Sequence, residues 1–180
     1  LEFMADGFGS STYMVNLDAP GCVMTGCVMR PYQGGDSVES TVRITQSDCV
    51  VAACLFTQTA QSGAASAMIQ VTGGDRPVLV LNRFEAQTAA ALFDFSAAAK
   101  DVSILRNQVG SHVTSLGVML GGSAIANVEG ICAYNALYHE NNITGINTLM
   151  GNVGKMAAYE NYLMNQDGES GDRTPTTVSA

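Results

Sequence analysis

The chain has 180 residues, a net charge of −8 at pH 7 and only eight lysines and arginines. This balance leaves no basic patch, so neither nucleic acids nor anionic membranes are expected as partners. Charged residues make up 13% of the chain, about half the usual share. A surface so poor in charge favours self-association.

Residues 1–11 are expected to form a flexible arm, because they include two glycines and two serines. Residues 1–3 precede Met4 and are interpreted as a cloning scar. No signal peptide follows Met4, and the five cysteines are an odd number. Reduced thiols are therefore expected, with a location in the cytoplasm or within an assembled particle.

Residues 12–84 are predicted to form a β-rich module of about six strands. Alternation in residues 38–45 indicates a half-buried strand, and the continuous apolar run at 49–57 indicates a central one. Residues 73–75, Gly-Gly-Asp, predict a hairpin turn into residues 77–84. The regular spacing of strands and turns favours a mostly antiparallel sheet or sandwich.

Residues 85–164 are predicted to form a helical module, and residues 165–180 a disordered tail. Residues 85–100 are rich in alanine, and apolar residues then recur at steps of three and four with no proline before residue 165. Residues 140–142 are the predicted break of a helical hairpin. The expected fold class is therefore α+β, with the sheet first and a helical hairpin or bundle after it.

The second predicted helix carries small residues where a surface helix would carry charge. Such residues let another backbone approach closely, and glycine in a helix interior costs about 1 kcal/mol. Two alternatives are that the glycines mark loops and that residues 116–138 span a membrane. The residues predicted to form an interface between subunits are Gly117, Leu120, Gly121, Gly122, Ala126, Gly130, Tyr134 and Tyr138.

Four of the cysteines form two C-x4-C pairs, Cys22 with Cys27 and Cys49 with Cys54. Four thiolates are enough for a zinc or iron–sulfur site. However, residues five apart on a strand point to opposite faces, so buried reduced thiols are the preferred interpretation. A disulfide such as Cys27 to Cys49 stays geometrically open in an oxidising setting.

No catalytic, cofactor-binding or metal-binding residue is assigned from the sequence. His139 beside Glu140 has the chemistry of a general base, but a favourable interaction with a helix C-terminus is the simpler interpretation. Residues 151–155 contain Gly-Lys without the remaining residues of a phosphate-binding loop. Asp36 and Asp75 follow paired glycines, which hairpin geometry explains without calcium.

The sequence therefore predicts a non-catalytic, self-associating structural subunit, as part of a homo-oligomer, filament, inclusion or shell. No cofactor is expected, and the expected partner is a second copy of the chain. The alternative is an acidic binding module, such as a chaperone or adaptor, for another protein. The nine methionines and the charge of −8 are the features that favour this alternative.

Overall fold

The computed structural model of the chain describes residues 2–5, 13–31, 40–57, 65–85, 88–109, 115–139, 152–165 and 176–178. Within these ranges the chain forms a β-solenoid of three parallel sheets. Each coil, here called a rung, runs through the sheets in the order B, C, A. Rungs 1 to 6 are numbered by their strands in sheet C, and among the described residues rung 6 gives strands to sheets C and A only. Hydrogen bonds between equivalent strands of successive rungs join the coils.

The strands are short, and within each sheet they lie side by side in chain order. Sheet B comprises β2 (Tyr13–Leu17), β5 (Ser40–Ile44), β8 (Ala65–Val71), β11 (Thr88–Phe95) and β14 (Ser115–Gly121). Sheet C comprises β3 (Val23–Thr25), β6 (Val50–Ala52), β9 (Val78–Val80), β12 (Val102–Leu105), β15 (Glu129–Ala133) and β17 (Lys155–Tyr159). Sheet A comprises β1 (Glu2–Ala5), β4 (Val28–Pro31), β7 (Leu55–Thr57), β10 (Arg83–Glu85), β13 (Gln108–Val109), β16 (Ala136–His139), β18 (Asn161–Asn165) and β19 (Thr176–Val178).

The predicted α+β class is wrong. The sheets are parallel, and among the described residues the only pairing in the opposite sense joins β18 to β19. No helix longer than the single 3-10 turn at Ile125–Asn127 occurs in the part of the chain that the structure describes. The strands on either side of residue 85 belong to the same three sheets, and the described residues after it form strands of these sheets and not a separate helical module.

Corners between sheets account for the errors in the first half of the chain. The run 49–57 is two strands, β6 and β7, which turn from sheet C to sheet A at Ala53. The Gly-Gly-Asp sequence at 73–75 connects β8 in sheet B to β9 in sheet C, so it is a corner and not a hairpin. A strand is present at β5 as predicted, but it is not half-buried, because Thr41 on its second face is buried as well as Ser40, Val42 and Ile44.

The core fills the space between the three sheets with stacked side chains from successive rungs. Phe56 and Phe84, in register on β7 and β10, stack with ring centroids 4.9 Å apart. Phe93 from sheet B meets Phe84 edge to face at 5.3 Å. Because each rung packs mainly on its neighbours, the solenoid holds its outer faces as rigid columns with a fixed spacing.

Candidate interaction surface

The corner between sheets C and A is made by one residue per rung in the left-handed backbone region. A positive φ at that residue turns the chain sharply, and the next residue then points into the core. The corner residues are Gly26, Ala53, Leu81, Arg106, Tyr134 and Glu160. The buried residues that follow them are Cys27, Cys54, Asn82, Asn107, Asn135 and Asn161.

The four buried asparagines form a continuous ladder along this corner. Oδ1 of Asn107 accepts hydrogen bonds from the backbone N–H and from Nδ2 of Asn82, at 3.0 and 3.1 Å. Nδ2 of Asn107 donates to the Leu79 carbonyl at 2.9 Å and to Oδ1 of Asn135 at 3.0 Å. Asn135 and Asn161 repeat the arrangement one rung on. The ladder satisfies buried polar groups and fixes the height of each rung.

The outward face of sheet C carries two columns of uncharged residues. Side chains alternate across a strand, so the first and third residues of each rung face out and the second faces in. Val23 is 66% exposed and Ile131 is 40% exposed on this face. The first column holds Val23, Val50, Val78, Ser103, Ile131 and Ala157. The second column holds Thr25, Ala52, Val80, Leu105, Ala133 and Tyr159, of which Ala133 is fully buried.

A column of charged residues borders these apolar columns on the side of sheet B. Two residues before the first column, the successive rungs carry Asp48, Arg76, Asp101, Glu129 and Lys155, all exposed. Arg76 donates two hydrogen bonds to the Asp48 carboxylate, from Nε to Oδ1 at 2.6 Å and from Nη2 to Oδ2 at 2.8 Å. Lys155 lies 3.5 Å from Glu129. The hydrogen bond from Arg76 holds the pKa of the Asp48 carboxyl below its usual value.

Tyr134 lies on the corner border of the apolar columns, within a small cluster of aromatic and charged side chains. Its ring meets the ring of Tyr159 edge to face at 5.7 Å, and the guanidinium of Arg106 lies 6.0 Å from its centroid. The neighbouring charge of Glu160, with a hydrogen bond to the same carboxylate, raises the pKa of Tyr134. These contacts orient a ring that is 42% exposed, and such rings often anchor protein interfaces.

The residues predicted to share a helix face are distributed over several parts of one rung. Leu120 is buried in the core of sheet B, and Ala126 is exposed in the 3-10 turn. Gly117 and Gly121 belong to β14, and Tyr138 to β16. The predicted interface residue on the outward face is Tyr134, at the corner. The other residues of that face were not predicted.

Two of the predicted glycines do allow a backbone to approach closely, but the neighbour is the preceding rung of the same chain. At Gly122, with φ +111, an added Cβ would strike the backbone of Phe95. At Gly130, with φ +148, it would strike the backbone of Val102. The small residues therefore serve the contact between rungs, and they do not support the predicted helix contacts between subunits.

The cysteines pair along the solenoid and not within each C-x4-C motif. Cys22 precedes Val23 and Cys49 precedes Val50, so these two residues lie side by side on rungs 1 and 2. Cys27 and Cys54 form a second neighbouring pair at the corner, so Cys27 and Cys49 are not neighbours. All the cysteines are free. Over the ranges that the structure covers, no three His, Cys, Asp or Glu residues cluster at metal-binding distance.

The remaining residues considered for chemistry are only partly described. His139 is the last residue of β16, whereas His112, Asp36 and Glu140 lie outside the described residues. Asp75 lies at the corner between β8 and β9, where Oδ1 accepts a hydrogen bond from the backbone N–H of Lys100 at 2.9 Å. Asp75 therefore helps to join two successive rungs.

The fold defines the chain as a parallel β-solenoid protein. No family model matches the sequence, and no curated protein or solved structure is similar enough to count as a match. Within the described residues there is no helix with the length and apolar character needed to cross a membrane.

Proposed function

We propose that the chain is a non-catalytic structural subunit that associates with a second copy of itself through the outward face of sheet C. The proposal is supported by the outward face itself, because its charges and side-chain sizes match those of a second copy turned by 180°. Two copies are placed face to face, with a two-fold axis parallel to the strands and level with rung 4. Their solenoid axes then run in opposite directions, and rungs 2 to 6 of one copy face rungs 6 to 2 of the other.

Charge complementarity supports this arrangement. From rung 2 to rung 6 the border column carries the charges −, +, −, − and +, and inversion places Asp48 of one copy opposite Lys155 of the other. Arg76 is likewise placed opposite Glu129. Asp101 lies on the axis and faces its own copy, which is the one unfavourable match in the column. Two ion pairs on each side of the axis outweigh one exposed like-charge contact that salt screens.

The sizes of the apolar side chains are complementary in the same register. Tyr159, the largest residue of the second column, is placed opposite Ala52. A small residue thus receives a large one across the contact, as in packed sheet faces. Leu105 on rung 4 meets its own copy at the centre. A shift by one rung would lose these matches together with the ion pairs.

The area of the face sets the expected strength of the association. Five rungs at about 4.8 Å and five residues at about 3.3 Å give a flat contact of about 400 Å² per copy. A standard stable interface buries about 800 Å² per partner. We therefore expect a weak, reversible dimer with a dissociation constant between the micromolar and millimolar ranges, roughly −8 to −4 kcal/mol in free energy.

The test places one positive charge on either of two outward faces. Ile131→Lys puts it in the apolar columns of sheet C, and Gln108→Lys puts the same charge on the outward side of sheet A. Both positions are exposed, so both variants should fold. Sedimentation velocity up to about 0.5 mM should show dimers for the wild type. Ile131→Lys should raise the dissociation constant about 10-fold or more, whereas Gln108→Lys should leave it unchanged.

The opposite results would overturn the proposal. A wild-type chain that stays monomeric over the whole range would favour the alternative, an acidic binding module for another protein. Equal effects of Ile131→Lys and Gln108→Lys would show that association does not use sheet C.

A further inference from the structure

Cys22 and Cys49 lie in register at the start of sheet C, where rung 1 meets rung 2. The backbone N–H of Val50 donates to the Cys22 carbonyl at 2.8 Å, which fixes the two residues side by side. In-register neighbours on parallel strands have Cα atoms about 4.8 Å apart, and a disulfide accepts Cα separations of about 4.4–6.8 Å. The Cα separation expected for this pair therefore falls within the range of a disulfide.

The two thiols differ in their access to solvent. Cys22 is half-buried at the turn that precedes β3, whereas Cys49 is fully buried beneath it. Burial raises the pKa of the Cys49 thiol, and a hydrogen bond to the backbone of Cys22 opposes the shift. Sγ of Cys49 donates to the Ala19 carbonyl at 3.5 Å. A reagent in solution thus reaches Cys22 first, with Cys49 held directly behind it.

We propose that Cys22 and Cys49 form a reversible disulfide site, in which Cys22 reacts first and Cys49 resolves the intermediate. The oxidant is a low-molecular-weight disulfide. The Cys22 thiol gives its proton to a water molecule, and its thiolate attacks one sulfur of the oxidant. A mixed disulfide forms on Cys22, and the other sulfur of the oxidant leaves as a thiolate. The Cys49 thiol then gives its proton to that released thiolate, attacks Sγ of Cys22 and displaces the second thiolate, which takes up a proton from water. The two cysteines are oxidised by two electrons, and two small thiols are produced from the oxidant.

The disulfide would link the first two rungs of the solenoid covalently. In sheets B and C the first rung has a neighbouring rung on one side only, so its strands there are the part of the solenoid most able to open. The disulfide closes the loop between Cys22 and Cys49 and restricts the unfolded chain. This inference is independent of the proposed self-association, because Cys22 lies on rung 1, outside the contact, and Cys49 on rung 2 is buried in the core.

Glutathione disulfide is the probe for the test. The native, fully reduced protein is incubated with it, quenched with acid, alkylated and mapped by mass spectrometry. We expect a loss of two hydrogen masses and one cross-linked peptide pair joining Cys22 to Cys49. Thermal unfolding of the oxidised protein should move to higher temperature, and dithiothreitol should reverse both changes.

Substitutions at two equivalent positions separate this site from general thiol oxidation. Cys22→Ser should abolish the cross-link and the thermal shift. Cys27→Ser should leave the cross-link and the thermal shift unchanged, because Cys27 and Cys54 are each buried at the corner. The proposal is overturned if the native wild type keeps both thiols free, if glutathione stays attached to Cys22, or if the cross-link maps to another pair.

Discussion

Oδ1 of Asn135 accepts two hydrogen bonds from Asn107, one from the backbone N–H at 2.9 Å and one from Nδ2 at 3.0 Å. Truncation of Asn107 to alanine would leave its buried partners unpaired, among them the Leu79 carbonyl and the N–H of Asn82. We expect Asn107→Ala to lower the free energy of unfolding by about 2–4 kcal/mol. Urea unfolding measures the change. The exposed neighbour Gln108 is the control, and Gln108→Ala should change stability by less than about 0.5 kcal/mol; equal losses would contradict the structural role of the ladder.

Two glycines with positive φ should respond differently to the same substitution. Gly130→Ala places a Cβ against the backbone of Val102, so it should lower the free energy of unfolding by about 3 kcal/mol or more. Gly26→Ala meets nothing within 4 Å, and Ala53 already occupies the equivalent corner with φ 51. It should therefore cost only about 1 kcal/mol. Chemical unfolding of the two variants checks the difference, and similar losses would show that the corner positions are not equivalent.

The strand-forming segments of the first half could be predicted from the sequence, but the corners that divide them and the arrangement of the sheets could not. Alternation was sufficient to locate β5, because side chains on one face of a strand repeat every two residues. At each corner one exposed residue is inserted, and the spacing of inward residues changes from two to three, as between Cys132 and Asn135. In residues 115–139, this mixture of steps resembles a helical period. That resemblance is the physical source of the wrong helical prediction.

The most useful unrecognised signal was the recurrence of asparagine. Successive members of the ladder, Asn82, Asn107, Asn135 and Asn161, bond at separations of 25, 28 and 26 residues. A period of this length indicates a coil that stacks on itself. The outward face could not be predicted without it, because the columns join residues that are far apart in sequence. Tyr134 was selected for a helical contact that does not exist, and its exposure follows from its corner position.

The titration of Cys132 should make stability fall at alkaline pH. Burial raises the pKa of this thiol from 9.0 to about 12, and a hydrogen bond from Asn135 opposes the shift. Below the pKa of the unfolded chain both states hold the proton, so the contribution is fully present. As the pH rises from about 9 to 12, only the unfolded state releases it, and the free energy of unfolding falls by up to about 1.4 kcal/mol per pH unit.

Urea unfolding of the reduced wild type and of Cys132→Ala, at about pH 8 and about pH 10.5, measures this contribution. The variant removes the titrating thiol and keeps every other ionisable group. Its stability should therefore decline less steeply than that of the wild type. Parallel declines would show that the Cys132 thiol ionises in the folded chain as readily as in the unfolded one.

Asp48 and Asp101 provide a test of the two-fold register itself, because they lie in the same exposed column and both have positive φ. Asparagine tolerates this backbone region and has the same shape, so each substitution removes one negative charge. At Asp48 it also weakens the two hydrogen bonds from Arg76 of the same chain. Asp101→Asn removes a like-charge contact across the axis and should strengthen the dimer. Asp48→Asn removes the partner of Lys155 in the second copy and should weaken it.

The measurement is the dissociation constant of each variant by sedimentation at moderate ionic strength, where exposed pairs contribute about 0.2–1 kcal/mol, or roughly 1.4- to 5-fold. A general reduction of the net charge of −8 would shift both variants in the same direction, since each loses one negative charge. Opposite shifts therefore require that the two carboxylates face different charges in the partner. If both variants dimerise more tightly to the same extent, sheet C pairs in another register or the contact uses a different face.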